Sequence, residues 1–229
     1  MNTKYELISA AKYFMKGNTA DFRKIYDIAL DDMFFQMQFV ICDDNTISKH
    51  LEDFFVYLAK SFFMLESAND VAEWINENVT QKTGEWIRKN RTDMLYAEEN
   101  GAYSVPVISD TYISGADIPD AEYMYALETA ICELPEIHRN TAIAFYYDNL
   151  PMGKLADLLF MDEKLLKNRI VYIEKTLMGS MQRYCKEHGY QMKPVTAQRI
   201  LMALSEMQKM YRYPHPDALY EIIASRITR

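Results

Sequence analysis

Glycine and proline are scarce in this chain, seven of each in 229 residues. Both interrupt helices, so their scarcity beside abundant Leu, Ala, Met, Lys and Glu predicts an all-α protein. No alternating pattern is long enough to argue for a strand. No apolar run approaches the length of a bilayer span, and the N-terminus lacks the charged start and apolar centre of a secretion signal. The three cysteines, Cys42, Cys132 and Cys185, are odd in number, far apart and in no ligand spacing, which points to a reduced cytoplasm. The four histidines (His50, His138, His188, His215) fall in unrelated segments. HExxH, CxxC, GxSxG and glycine-rich phosphate loops are all missing. No enzyme activity, metal or cofactor is expected from such a set.

Basic residues are missing from a whole stretch. Between Thr92 and Ile137 there are ten acids and no base, although the chain as a whole carries 25 Lys and Arg against 33 Asp and Glu. Positive charge is gathered instead at Lys82, Arg88, Lys89 and Arg91, against Glu85 alone, and from His138 to Arg229, with fourteen bases and nine acids. A net charge of -8 argues against a simple nucleic-acid binder. Its distribution suits a protein that touches DNA in two patches while other faces meet a protein partner.

What is present is helical periodicity, clearest from Leu127 to Leu177. Apolar residues recur there in three short bursts, separated by Leu134-Pro135 and by Asp148-Asn149-Leu150-Pro151. Each burst is too short to be stable alone, so the three must bury their stripes against one another. Short helices with tight connections, the last carrying Lys164, Lys167, Asn168, Arg169 and Tyr172, read as a helix-turn-helix that offers these residues to a major groove. Arg can read guanine, Asn adenine, and Lys can hold phosphate.

Leu134-Pro135, Arg139, Tyr146-Tyr147, Leu150, Leu155-Ala156, Leu158-Leu159, Met161, Lys167 and Arg169 fall without a gap on the C-terminal DNA-binding pattern of a bacterial sigma factor, LP…R…YY..(G)LS..EIA..LGIS.GTVKSR. The chain resembles a small, two-module sigma factor of the extracytoplasmic-function type. It departs from the pattern at Lys154 for a Glu, Phe160 for the turn glycine, Lys164 for a second glycine and Leu165 for a Thr. A glycine is favoured where the turn needs positive φ, so Phe160 predicts strain or an altered turn. The resemblance assigns Lys154, Lys164, Lys167, Asn168, Arg169 and Tyr172 to an upstream promoter element.

Upstream, Lys4 to Met15 carries a stripe through Leu7, Ile8, Ala11 and Phe14 or Met15, stopped by Gly17-Asn18. Asn18 or Thr19 is then expected to cap a helix through Phe22, Ile25, Tyr26, Ala29 and Met33. Gly17 to Ala29 resembles the opening of a sigma factor's first module. A helix opened by Thr46 or Ser48 runs through Leu51, Phe54, Phe55, Leu58 and Phe62. In the family this helix docks on core RNA polymerase, which assigns Leu51, Asp53, Phe54 and Phe55 to that contact. Aromatics at this spacing more commonly belong to a core. The segment Glu73 to Arg91 resembles the promoter-melting segment, with Trp74, Ile75, Arg88 and Lys89 matching. Opening a duplex costs unstacking energy, recovered by stacking on aromatic surface and neutralising phosphate. Gln81, Lys82, Glu85, Trp86, Arg88, Lys89 and Arg91 are assigned to that work.

The resulting expectation is an all-α protein of two small modules. Residues 1–92 form the N-terminal module, 93–119 an acidic linker with a short apolar run at Val105 to Ile108, and 120–184 a helix-turn-helix module that opens with Asp120 as cap. Residues 185–229 form a helical tail, whose two amphipathic helices are expected to pack on the second module or bind a partner helix. The resemblance implies core RNA polymerase and promoter DNA as partners, with room for an anti-sigma or other regulatory protein, and no membrane insertion. The alternative is a sigma-like regulator or decoy that binds polymerase or another protein without reading promoters. A lone helix-turn-helix regulator, dimerising through its N-terminal half, is a third reading.

Overall fold

The computed structural model describes residues 2–18, 20–99 and 115–227. The protein is all-α. Its helices are α1 (Asn2–Met15), α2 (Asp21–Ile41), α3 (Asp44–Ser61), α4 (Val71–Asn90), α5 (Thr92–Glu99), α6 (Asp120–Cys132), α7 (Glu136–Ala142), α8 (Met152–Leu158), α9 (Glu163–His188), α10 (Ala197–Gln208) and α11 (Pro216–Ile227). The described strands are two-residue pieces, β1 (Ala116–Asp117) and β2 (Tyr190–Gln191), paired in parallel. Gly115 makes that pairing possible, because a Cβ there would lie 2.2 Å from the Gly189 carbonyl oxygen.

The chain forms two compact units, one of Met1–Val79 with Gln208–Arg229 and one of Thr80–Met207. The N-terminal half of α4 therefore belongs to the first unit and its C-terminal half to the second. The expected tail is divided as well: α10 lies in the second unit, whereas α11 packs on α2 and α3 of the first. Residues 93–99 of the expected linker are helical, in α5. The apolar run Val105 to Ile108 lies outside the described residues.

In the first unit the predicted stripes become the core. Phe22, Ile25, Tyr26, Ala29 and Met33 of α2 are buried, as are Leu51, Phe54, Phe55 and Leu58 of α3. The Tyr26 ring lies 4.7 Å from Phe55 and 5.1 Å from Tyr220 of α11. Phe14 meets Phe22 and Phe62, while Met15 is exposed. Asp43 caps α3, accepting a hydrogen bond from the Thr46 N–H at 2.9 Å. The helix thus begins two residues earlier than the Thr46 start expected, because an Asp side chain in extended conformation is a better cap. Ala20, with no side-chain acceptor, precedes α2.

In the second unit Leu127, Ile131, Leu155, Leu166, Ile173 and Leu177 form the centre. Asp120 does not cap α6; its carboxylate pairs with Lys193 at 2.7 Å. After α7 the backbone widens into a π-type turn over Ile143–Tyr147, closed by the Asp148 N–H donating to the Ile143 carbonyl at 3.0 Å. On α10, Ile200, Ala203, Leu204 and Met207 are buried, with Thr196 as its cap, while Met210 is exposed.

Because Phe55 is enclosed against Tyr26, Phe55→Ala is expected to lower stability by about 3–5 kcal/mol in urea unfolding. Asp53→Ala at the surface should cost less than about 1 kcal/mol. An unmoved midpoint for Phe55→Ala would mean that the ring is not core.

Candidate nucleic-acid interface

α8 and α9 occupy the place of the expected helix-turn-helix and are joined by a tight turn. The turn runs through Phe160, which has φ of 57° and an exposed ring. An L-residue here carries the backbone strain that the missing glycine predicts. Two contacts hold it. The Phe160 N–H donates to the Asp157 carbonyl at 3.1 Å, and the Arg88 guanidinium sits 4.8 Å above its ring centre. Asp162 then caps α9, accepting from the Leu165 N–H at 2.7 Å.

The opening turns of α9 separate into two faces. Leu166, Arg169 and Ile170 point inward, and Lys164, Lys167 and Asn168 point to solvent. Lys154 on α8 is also exposed. The Lys167 ammonium is 3.8 Å from Glu163 one turn back, an exposed pairing that a phosphate can replace. Lys and Asn at these positions hold the chemistry for phosphate and adenine contacts.

Arg169 is the main correction. Assigned above to the groove, it is only 4% exposed. Its Nε donates to Glu98 Oε1 at 2.7 Å, its Nη2 also pairs with Glu98, and its Nη1 donates to Thr141 Oγ1 at 3.1 Å. His138 Nε2 lies 3.7 Å from the same carboxylate, and the Tyr172 ring packs on His138 at 4.6 Å. Tyr172 is therefore half-buried support for this cluster rather than a groove-facing group. Burial pushes the Glu98 carboxyl up, but hydrogen bonds from His138 and Arg169 and the Arg169 charge outweigh it and hold it at about 2. Burial pushes His138 down, and Arg169 adds to that against the pull of Glu98.

The C-terminal half of the segment assigned to melting packs beside this turn. Thr83 donates to Asn140 Oδ1 at 2.8 Å in the interior. A Cβ on Gly84 would meet the Leu159 side chain at 3.4 Å, so this glycine lets α4 approach the turn closely. Lys82 pairs with Glu85 at 2.8 Å, and Gln81 donates to Glu85. Arg91 pairs with Glu136 at 3.3 Å and lies 5.0 Å over the half-buried Trp86 ring. Arg88 and Lys89 are exposed. Trp74, in the first unit, stacks on Tyr57 at 5.7 Å.

The residues assigned to polymerase are largely enclosed. Leu51, Phe54 and Phe55 are core, and Asp53 accepts from Arg226 of α11 at 2.8 Å. Apolar residues at helical spacing went to the core of their own unit. Among the described residues no group of three or more His, Cys, Asp or Glu is placed to hold a metal, and no helix is long and apolar enough to cross a membrane. Neither a protein-family model nor a curated protein matches the chain. Glu98 and Thr141 escaped sequence reasoning, since an acid in an acidic stretch and a Thr inside a helix give no sign of a buried partner.

The cluster makes the second unit acid-sensitive. Glu98 has a folded pKa below its ordinary 4.5, so its contribution is present above that value and lost as pH falls from 4.5 towards about 2. His138 lies below its ordinary 6.5, so its contribution is lost as pH falls below 6.5. Glu98→Gln should cost about 3–5 kcal/mol near neutral pH, since it strands a buried Arg. Urea titrations at several pH values check this: the gap between wild type and Glu98→Gln should narrow below pH 4.5. A pH-independent gap would refute it.

Proposed function

We propose that the chain is a sigma-type transcription initiation factor that binds promoter DNA through the opening turns of α9 and core RNA polymerase through its first unit. One observation carries the DNA half: Lys164, Lys167 and Asn168 are exposed together at the start of the second helix of a helix-turn-helix. The first turns of such a helix are the part that enters a major groove. The polymerase half is carried by the sigma resemblance of residues 17–91. On this reading Lys154 and the two α9 lysines bind phosphate, Asn168 contacts a base edge, and Arg169 holds the helix in register from behind. The exposed Arg88 and Lys89 supply further phosphate contacts.

A second reading has its own observation. Leu51, Phe54 and Phe55 are buried and Asp53 is occupied by Arg226, which favours a sigma-like regulator that contacts polymerase or another protein without directing initiation.

Retention on core RNA polymerase, followed by transcription from randomised promoter templates, separates the two. Stable binding with start sites sharing an upstream element supports the first reading. Binding without initiation supports the second. On the first reading Lys167→Ala should weaken promoter binding at all sequences and reduce the log K against log salt slope by about 0.9. Asn168→Ala should cost about 1–3 kcal/mol of discrimination at one base pair. An unchanged salt slope for Lys167→Ala would remove α9 as the contact.

A further inference from the structure

The tail helix α11 is seated on α3, the segment whose polymerase contact the sigma resemblance implies. Leu219 and Ile223, one turn apart, are buried against α2 and α3. Three residues beyond Ile223, Arg226 pairs with both Glu52 and Asp53. At the other end Tyr26 donates to the Pro216 carbonyl at 2.6 Å, and Arg23 pairs with Asp217 and lies 4.5 Å over the Tyr220 ring. Tyr26, among the largest enclosed side chains of the unit, meets Tyr220 of α11 on one side and Phe55 of α3 on the other.

α11 has only twelve residues. Helices of this length are marginal by themselves, and ion pairs at a solvent edge add little. Its grip is an apolar pair, two cations (Arg226 on Glu52 and Asp53, Arg23 on Asp217), the Tyr26 contacts with Pro216 and Tyr220, and a tether. The connection, Tyr213-Pro214-His215-Pro216, is anchored separately: the Tyr213 N–H donates to Asp31 at 3.0 Å and its hydroxyl to Ser48. These two bonds hold the connection independently of the contacts made by α11.

We propose that α11 is a removable cover on a helix-docking face formed by α2 and α3, and that a helix of core RNA polymerase takes its place. The inference rests on the polymerase reading above. Charge and shape define the incoming helix: two apolar residues one turn apart, followed three residues later by Arg or Lys, which would complement Glu52 and Asp53 where Arg226 had been. A tethered competitor acts at an effective concentration on the order of millimolar, so it suppresses docking by any partner that does not match it well.

The test uses the full chain, with Arg226→Glu at the edge of the contact and, separately, Ile223→Glu at its centre. Hydrogen exchange over Ile47 to Leu58 reports whether α11 has lifted, and biolayer interferometry gives the affinity for core RNA polymerase. The expected result is faster exchange and binding tighter by about tenfold or more in the lifted variants. A synthetic peptide of Pro216–Ile227 should restore the weaker affinity. Faster exchange with unchanged or weaker binding would overturn the cover and leave the polymerase reading in place. Exchange unchanged in both variants would also overturn it, because the helix would not be removable by loss of these contacts. Absence of polymerase binding in every form, lifted ones included, would sink both.

Discussion

The ion pair between Arg169 and Glu98 is the constraint on which the second unit depends. Both charges are removed from water, a transfer that costs several kcal/mol for each ion unless hydrogen bonds replace the lost solvent. Here three donors of one guanidinium are satisfied by Glu98 and Thr141. The pair ties α5, α7 and α9 into one arrangement, because any other register would leave a naked charge in the interior. On the proposed reading it also decides what α9 offers to DNA. Arg169, the residue most suited to guanine, serves as an internal strut, and the exposed chemistry is left to two lysines and an asparagine. A surface of that kind binds phosphate well and reads bases sparingly.

The acidic balance of the chain is compatible with this, since a groove contact depends on local potential. Four of the acids between Thr92 and Ile137 have partners within the second unit: Glu98 meets Arg169, Asp120 meets Lys193, Glu136 meets Arg91, and Glu122 accepts from Tyr184 and Tyr190. A stretch that reads as an acidic linker is in part a set of counter-charges for its own unit.

This explains which features were legible in the sequence. Helices and their stripes were, because a period of 3.6 is a local signal: Phe22, Ile25, Tyr26, Ala29 and Met33 are all buried as the spacing requires. The strain at Phe160 was legible too, since a turn that favours glycine meets a side chain there. The roles of Phe54, Phe55, Arg169 and Tyr172 were not. Periodicity reports which face of a helix is apolar, and it is silent about what covers that face. Whether an Arg is strut or reader depends on an acid seventy-one residues away in sequence. The division of the tail between two units is likewise a matter of long-range partners, and Arg226 could not announce Glu52 and Asp53 as its own.

The turn between α8 and α9 shows how these distant contacts bear on the proposed function. Gly84 admits the second half of α4 close to Leu158 and Leu159, Thr83 is tied to Asn140, and Arg88 lies over the strained Phe160. The strained turn is thus held by the segment that the resemblance assigns to melting. If residues 80–91 are to hold single-stranded DNA while α9 reads a separate upstream element, the buried Thr83–Asn140 bond and the Gly84 contact must open, and Phe160 loses the cation above its ring. If they stay in place, Arg88 and Lys89 can only touch the duplex that α9 binds. The proposed initiation activity therefore requires a rearrangement within the second unit itself, and that requirement follows from one glycine, one buried hydroxyl and one positive φ.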